Sequence, residues 1–178
     1  MKRLIYLDHA ATTQPFPEVL DAMIPYYSRY YGNPSSGYEL GEESKRAIET
    51  ARGQIAYTLG VEDDTIYFTS GGTESDNWAL VGCAYANRRQ GKHIISTVFE
   101  HAAVSAPLVA LEEQGFEITK IPVDANGILS MEKLESAIRP DTILVSTMYV
   151  NNEVGAVVPV EEIGKLVHEK NPKTIYHV

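Results

Sequence analysis

Three short polar clusters in this sequence carry residue types that bind small anionic or aromatic ligands. They are Ser70–Ser75 (SGGTES), Glu100–Ala103 (EHAA) and Val150–Gly155 (VNNEVG). In the first cluster, Gly71 and Gly72 would let the backbone approach a ligand closely, and the N–H groups of a following helix suit a phosphate. Thr73 adds a hydroxyl donor. The cluster is neither a GxGxxG fingerprint nor a Walker loop, so it does not indicate a dinucleotide or nucleotide.

The other two clusters offer groups that would hold a ring. The imidazole of His101 can stack on an aromatic ligand or shuttle a proton. The amides of Asn151 and Asn152 can orient a polar ring substituent through fixed donors and acceptors. Each cluster also has a purely structural interpretation: Thr73 as a helix cap, His101 bonded to backbone near a helix start, and the asparagines in an Asx turn. Taken singly, the structural interpretations are the stronger ones, but the three clusters together favour a ligand site.

The elements that would position these clusters are short β-rich runs that alternate with longer helical patterns. Runs rich in Ile, Val, Tyr, Phe and Thr predict strands at Thr65–Ser70, His93–Val98, Phe116–Pro122, Thr142–Tyr149 and Thr174–Val178. Apolar residues at helical spacing predict helices at Glu39–Leu59, Glu74–Arg89, Ala102–Gln114, Met131–Ile138 and Val160–Lys170. Capping residues mark several of these helix ends: Gly60, Gly115, Ser130 and Pro159.

This alternation predicts an α/β fold with a mainly parallel sheet and helices on both faces. Ligands of such sheets bind at the carboxyl ends of the strands, which is where the three clusters fall. A phosphorylated planar ring in that crevice accounts for a phosphate cradle, an imidazole and an amide at once. Pyridoxal phosphate (PLP) and a flavin nucleotide both fit this description. Roughly the first sixty residues do not follow the alternation, and we expect them to wrap the sheet or join a second subdomain.

Charge and composition narrow the possible partners. The chain has 178 residues, with 24 acidic and 15 basic side chains and a formal net charge of −9. An acidic chain without a block of Lys or Arg is not expected to bind nucleic acid or an anionic membrane. Cys83 is the single cysteine, and no Cys/His grouping has zinc spacing, so neither a disulfide nor a metal site is predicted. No signal peptide or transmembrane stretch is visible, and a cytoplasmic protein is expected.

Five motifs spread along the chain together resemble one family. They are LDHAATT at 7–13, GNPSS at 32–36, FTSGGTESDN at 68–77, EH at 100–101 and VNNE at 150–153. They are similar to the signatures of cysteine desulfurases of the NifS/IscS type, PLP enzymes of class V in the aspartate-aminotransferase fold group. The resemblance implies removal of sulfur from L-cysteine, which gives alanine and a persulfide on an enzyme cysteine, as in iron–sulfur cluster assembly.

The resemblance also implies roles for individual residues. Gly72 and Thr73 would bind the PLP phosphate, His101 would stack on the pyridine ring and act in proton transfer, and Asn152 would contact the ring oxygen. Residues 1–15 would reach the active site or a small domain, and residues 16–178 would form an incomplete PLP-binding large domain. The implied partners are L-cysteine, a second copy of the chain in a homodimer, and a sulfur-acceptor protein.

The family's other functional groups would lie beyond Val178: an Asp for the pyridine nitrogen, the Schiff-base lysine, an arginine for the substrate carboxylate and the persulfide cysteine. The lysines of this chain precede strands, lie within one, fall on helices or lie at the terminus, so none replaces the Schiff-base lysine. Cys83 lies in an apolar helical stretch, where an inert thiol is expected. The covalent lysine is thus absent from this chain, which we predict to be inactive alone and to fold poorly or associate through unpaired sheet edges.

Three functions remain open at this point. The first is a cysteine desulfurase represented by its N-terminal part. The second is a non-catalytic remnant or a split-subunit partner of a desulfurase. The third is another class V PLP aminotransferase or lyase, which the SGGTESDN and VNNE motifs make a weaker match.

Overall fold

The computed structural model describes residues 4–178, and the chain divides into two units, one ending at Phe68 and the other spanning Thr69–Val178. The predicted segment 1–15 begins in residues 1–3, which lie outside the described residues. Its boundary at residue 15 stays a prediction. Among the described residues, no helix is both long and apolar enough to cross a membrane.

The first unit is helical. Helices α1 (Pro17–Met23) and α2 (Pro25–Ser28) were not predicted, and each begins at a proline, whose fixed φ and missing N–H suit a first helical position. Helix α3 (Glu39–Leu59) has the predicted bounds. It ends at Gly60, whose φ of 68° is the left-handed conformation that glycine adopts at helix ends.

The second unit is built on four strands and four helices. Helices α4 (Gly72–Asn87), α5 (Ala102–Glu113), α6 (Met131–Ala137) and α7 (Val160–Lys170) alternate with strands β1 (His93–Thr97), β2 (Glu117–Ile121), β3 (Thr142–Ser146) and β4 (Ile175–His177). The strands form one parallel sheet in the order β2-β1-β3-β4. The central strands β1 and β3 are buried along their whole length. The prediction of an α/β fold with a parallel sheet is therefore confirmed.

Helices cover both faces of this sheet because neighbouring strand residues point to opposite sides. Ile94 of β1 packs with residues of α4 and α5, including Leu80 and Leu108. Ile95, the next residue, packs on the other side with residues of α6 and α7, including Leu134 and Ile163. Each helix pair thus buries its apolar side against one face of the sheet.

The predicted strand at Thr65–Ser70 is wrong. A 3-10 turn occupies Asp63–Thr65, and Ile66 is extended but joins no strand pair among the described residues. The Arg52 guanidinium donates to the carbonyl oxygen of Ile66 and lies 5.1 Å from the ring centre of Phe68. The Ile66 carbonyl is therefore bonded by a side chain and not by a neighbouring strand, and the β-rich segment joins no sheet among the described residues.

Candidate active site

The first cluster forms the start of helix α4. Gly71 precedes the helix in extended conformation, and Gly72 is its first residue. Thr73 is therefore not the helix cap that the structural interpretation predicted. An added Cβ would meet nothing within 4 Å at either glycine, so the backbone is open to a ligand. No side chain among the described residues caps this helix start. The N–H groups of Gly72 and Thr73 are therefore left for another acceptor.

Side chains on either side fix the shape of this loop. The Ser70 N–H donates to Oε2 of Glu74 at 2.6 Å, and the hydroxyls of Thr69 and Ser75 are 2.7 Å apart. Hydrogen bonding from Ser70 lowers the pKa of Glu74, so its carboxylate stays ionised and bonded back to the loop. The exposed Thr73 stands at the second helical position, beside the N–H groups that would face an anion.

His101 caps helix α5. Its Nδ1 accepts a hydrogen bond from the Ala103 N–H at 3.1 Å, which confirms the backbone-bonded interpretation. An imidazole whose Nδ1 accepts a hydrogen bond has its N–H group on Nε2. The ring is exposed, so the Nε2–H and the ring face are both free to meet a ligand.

The paired asparagines divide into a structural residue and an exposed one. Asn151 is buried: its Nδ2 donates to the Phe99 carbonyl at 2.9 Å, and its Oδ1 accepts from the N–H groups of Glu153 and Val154, both at 2.9 Å. These contacts form the Asx turn of the structural interpretation. Asn152 is exposed, with its Nδ2 3.3 Å from Oε1 of Glu153. The turn held by Asn151 thus presents Asn152 outward.

A cavity of about 190 Å³ lies at the carboxyl ends of β1, β3 and β4. Its lining includes Asp76 of α4, Glu100 and His101 after β1, Met148 after β3, and His177 of β4. It does not include Gly72, Thr73 or Asn152. Of the predicted site residues, His101 therefore lines the cavity. Gly72 and Thr73 lie at the start of α4, and Asn152 lies on the loop after β3.

Asp76 and His177 were given no role in the sequence interpretation. Nδ1 of His177 is 3.0 Å from the Ser146 hydroxyl oxygen, and its Nε2 is 3.7 Å from Oδ1 of Asp76. Burial lowers the pKa of His177, and the nearby Asp76 carboxylate opposes that shift. His177 reaches Asp76 because β4 lies beside β3 and α4 packs on these two strands, and no local motif carries that information.

Glu100 was also left without a role. Its Oε1 accepts from the Thr97 hydroxyl at 2.5 Å and from the Met148 N–H at 3.0 Å. Burial raises the pKa of Glu100, while the hydrogen bonds from Thr97 and Met148 act against that rise. The available signal was its place directly before His101, at the end of a predicted strand.

These residues fit a PLP group. The start of α4 supplies backbone N–H groups, a hydroxyl and the positive end of a sixteen-residue helix, which together suit a phosphate dianion. The exposed His101 ring and the Asn152 amide suit an aromatic ring with polar substituents. Within residues 4–178, no group of His, Cys, Asp or Glu has the arrangement of a metal site. Cys83 is partly buried against the core, and burial raises the pKa of its thiol.

Comparison with known proteins identifies the family. The sequence profile described as Aminotransferase class-V matches residues 5–178. The chain is 53% identical over 167 residues to the Cysteine desulfurase IscS of Methanosarcina thermophila. The alignment covers 94% of this chain and 41% of that protein.

Solved structures agree with this match. A NifS-like protein superposes with a TM-score of 0.95 at 41% identity, covering 98% of this chain and 48% of that one. A structure of SspA in complex with cysteine superposes with a TM-score of 0.91 at 38% identity, covering 97% of this chain and 49% of that one.

The chain spans less than half the length of these three relatives. The profile nevertheless covers nearly all of it, and the family implies a PLP cofactor. With a profile match over residues 5–178 and the fold of NifS-like proteins, the chain belongs to the class V aminotransferase family.

Proposed function

We propose that this chain contributes the phosphate- and ring-binding part of a PLP-dependent cysteine desulfurase. The observation that carries the proposal is the open start of α4 at Gly71–Thr73, in a chain 53% identical to a cysteine desulfurase. A helix start of this kind binds a phosphate, and the identity of the relatives indicates which phosphorylated cofactor it is.

In this proposal, different residues of the chain bind different parts of the cofactor. The N–H groups of Gly72 and Thr73 and the Thr73 hydroxyl hold the phosphate, helped by the helix dipole. His101 lies against the ring, and the Asn152 amide bonds the ring oxygen. When bound, PLP supplies an electron-accepting ring that eases bond cleavage in an attached amino acid, while the protein supplies orientation and electrostatics.

The hydrogen bond at His101 limits what this residue can do. Its Nδ1 accepts the Ala103 N–H, so proton acceptance at Nδ1 would first have to displace that bond. With the proton on Nε2, the ring orients a ligand and donates a hydrogen bond. The geometry therefore supports ring stacking by His101 more directly than it supports a role as a base.

The substrate in this proposal is L-cysteine. One structural relative, SspA, was solved in complex with cysteine, and the IscS relative is named for cysteine desulfuration. A cytoplasmic homodimer that passes its sulfur to an acceptor protein completes the proposal, with iron–sulfur cluster assembly as the destination.

The test uses the protein at its natural length, supplied with PLP and L-cysteine. We expect PLP uptake, seen as visible absorbance, and equal amounts of alanine and transferred sulfur. Amine transfer that depends on a keto acid, without alanine release from cysteine, would favour another class V aminotransferase. Absence of PLP uptake would overturn the proposal and favour a non-catalytic remnant.

A further inference from the structure

Glu100 lies between the two loops that carry His101 and Asn152. It ends the segment after β1, directly before His101, and its Oε1 reaches the Met148 N–H in the segment after β3 at 3.0 Å. The same oxygen accepts from the Thr97 hydroxyl at 2.5 Å, at the last residue of β1. One carboxylate oxygen therefore fixes the end of β1 and ties it to the backbone after β3.

A second contact ties the same two loops. The Asn151 Nδ2 donates to the Phe99 carbonyl at 2.9 Å, one residue before Glu100. The Oδ1 of Asn151 accepts two backbone N–H groups that shape the turn around Asn152. Two hydrogen bonds thus link the loops, and in both of them the donor lies after β3 and the acceptor lies after β1.

Glu100 also stands between two cavities, one of about 190 Å³ that it shares with His101 and one of about 560 Å³ that it shares with Asn151. Neither cavity-lining set includes both His101 and Asn151. The Glu100 side chain therefore lies where a change in the position of one loop would be felt by the other.

We propose that Glu100 is a positioning residue that holds the His101 loop and the Asn152 loop in register for the cofactor ring. The inference rests on the proposed function, because it assumes that His101 and Asn152 contact PLP. Glu100 acts through these two residues and does not itself touch the cofactor.

The test compares three variants of the natural-length protein loaded with PLP. Glu100→Ala removes both hydrogen bonds, and Glu100→Gln keeps a neutral acceptor in their place. Ile163→Val trims a buried side chain on α7, in the cluster on the opposite side of the sheet from α4 and α5, and controls for general loss of stability. Three quantities are measured: the rate of PLP loss, the absorption spectrum of bound PLP, and hydrogen exchange at Met148 in the cofactor-free protein.

We expect Glu100→Ala to lose PLP about tenfold faster, because His101 and Asn152 lose the tie between their loops, and ordering these loops again costs about as much as one hydrogen bond to a charged group. Its bound-PLP spectrum should differ from that of the wild type, and Met148 should lose exchange protection. Glu100→Gln should lose PLP only about threefold faster and should keep a spectrum close to that of the wild type, because neutral hydrogen bonds are roughly half as strong as charged ones. Ile163→Val should leave the spectrum and Met148 unchanged.

Two results would overturn the inference while leaving the proposed function intact. One is wild-type PLP retention and spectrum in Glu100→Ala. The other is that Glu100→Ala and Ile163→Val, compared under conditions where both proteins are equally stable, change all three quantities to the same extent. A wild-type protein that takes up no PLP would instead overturn the proposed function. Met148 exchange would in that case still show whether Glu100 joins the two loops.

Discussion

The Thr73 hydroxyl is a single group whose removal tests the phosphate site. Thr73→Val keeps the shape of the side chain and removes the donor, so we expect PLP to leave about tenfold faster, the size of one lost charged hydrogen bond. Thr73→Ser should retain most of the binding. PLP absorbance after dialysis measures the effect.

The matched control for Thr73 is Thr58→Val. Thr58 is also an exposed helical threonine, but it lies in α3, where its hydroxyl donates to the Gln54 carbonyl at 2.8 Å. We expect it to retain PLP like the wild type. If Thr73→Val and Thr58→Val lost PLP at the same rate, the phosphate would not be bound through the Thr73 hydroxyl.

His93 is a buried histidine at the opposite end of β1 from the candidate site. Its Nδ1 is 2.7 Å from the Thr142 hydroxyl, and its Nε2 is 2.8 Å from the Thr119 hydroxyl. Burial lowers the pKa of His93, and the positive charge of Arg139 adds to this shift. The carboxylates of Glu117 and Asp141 oppose it.

The folded protein should therefore lose stability as the pH falls. The unfolded histidine takes up a proton at about pH 6.5, whereas the folded one resists protonation until a lower pH. The contribution of neutral His93 is complete above about pH 6.5 and is lost as the pH falls through the folded pKa. His93→Gln should make urea midpoints fall less steeply between about pH 7 and 5.

At neutral pH, His93→Gln should also cost about 1–3 kcal/mol, because the hydroxyls of Thr119 and Thr142 lose a well-placed partner. His168→Gln, on the exposed part of α7, is the control and should leave the urea midpoint at neutral pH unchanged. His177 also has a pKa lowered by burial, so some pH dependence should remain in the His93 variant. A variant with the full wild-type pH dependence would show that His93 is not the titrating group.

At the scale of elements, alanine substitutions at two glycines distinguish the cost of a steric clash from the cost of backbone strain. Gly127 and Gly155 have φ of 77° and 72°, so alanine is strained at either. A Cβ on Gly127 would also lie 2.5 Å from the Ala156 Cβ, whereas one on Gly155 would meet nothing within 4 Å. We expect Gly155→Ala to cost about 1–2 kcal/mol and Gly127→Ala to cost roughly 1–3 kcal/mol more through overpacking. Urea denaturation measures both, and equal losses would show that the two loops do not meet here.

Local sequence signals were enough to predict most of the elements. Helices α3 and α7 have their predicted bounds, and β1 to β4 lie within their predicted runs. Apolar periodicity and caps such as Ser130, whose hydroxyl accepts the Lys133 N–H, act within a few residues. The strand at Thr65–Ser70 was wrong because a strand needs a pairing partner, and Arg52, distant in sequence, occupies the Ile66 carbonyl instead.

The candidate site was predictable only in part. Motifs singled out His101 and the Asn151–Asn152 pair, but which asparagine is buried depends on the Phe99 carbonyl, about fifty residues earlier. Glu100 and His177 meet because β1, β3 and β4 end side by side, and Asp76 joins them because α4 packs on β3 and β4. Contacts of that kind follow from strand order, which a pattern of single residues does not specify.

At the scale of the whole molecule, the buried apolar side chains are distributed unevenly. Among the described residues up to Phe68, Ala56 is the one buried hydrophobic residue. Thr69–Val178 contains both core clusters. Several large apolar side chains along the first unit are exposed, among them Leu7, Tyr57 and Leu59. Burial of apolar area is the main stabilising contribution in folding, so the two units should differ in local stability.

Where the 178-residue polypeptide is folded, we therefore expect its amide hydrogens to exchange much faster in α3 than in β1 and β3. Local opening free energies range from near zero up to the global value, so peptides from the two regions should differ by on the order of a hundredfold or more. Hydrogen exchange followed by mass spectrometry measures this directly, with α4 as an internal helical control, since it packs Leu80 and Ala84 into a core cluster. Protection of α3 equal to that of β1 would mean that α3 is stabilised by contacts other than the apolar burial described here.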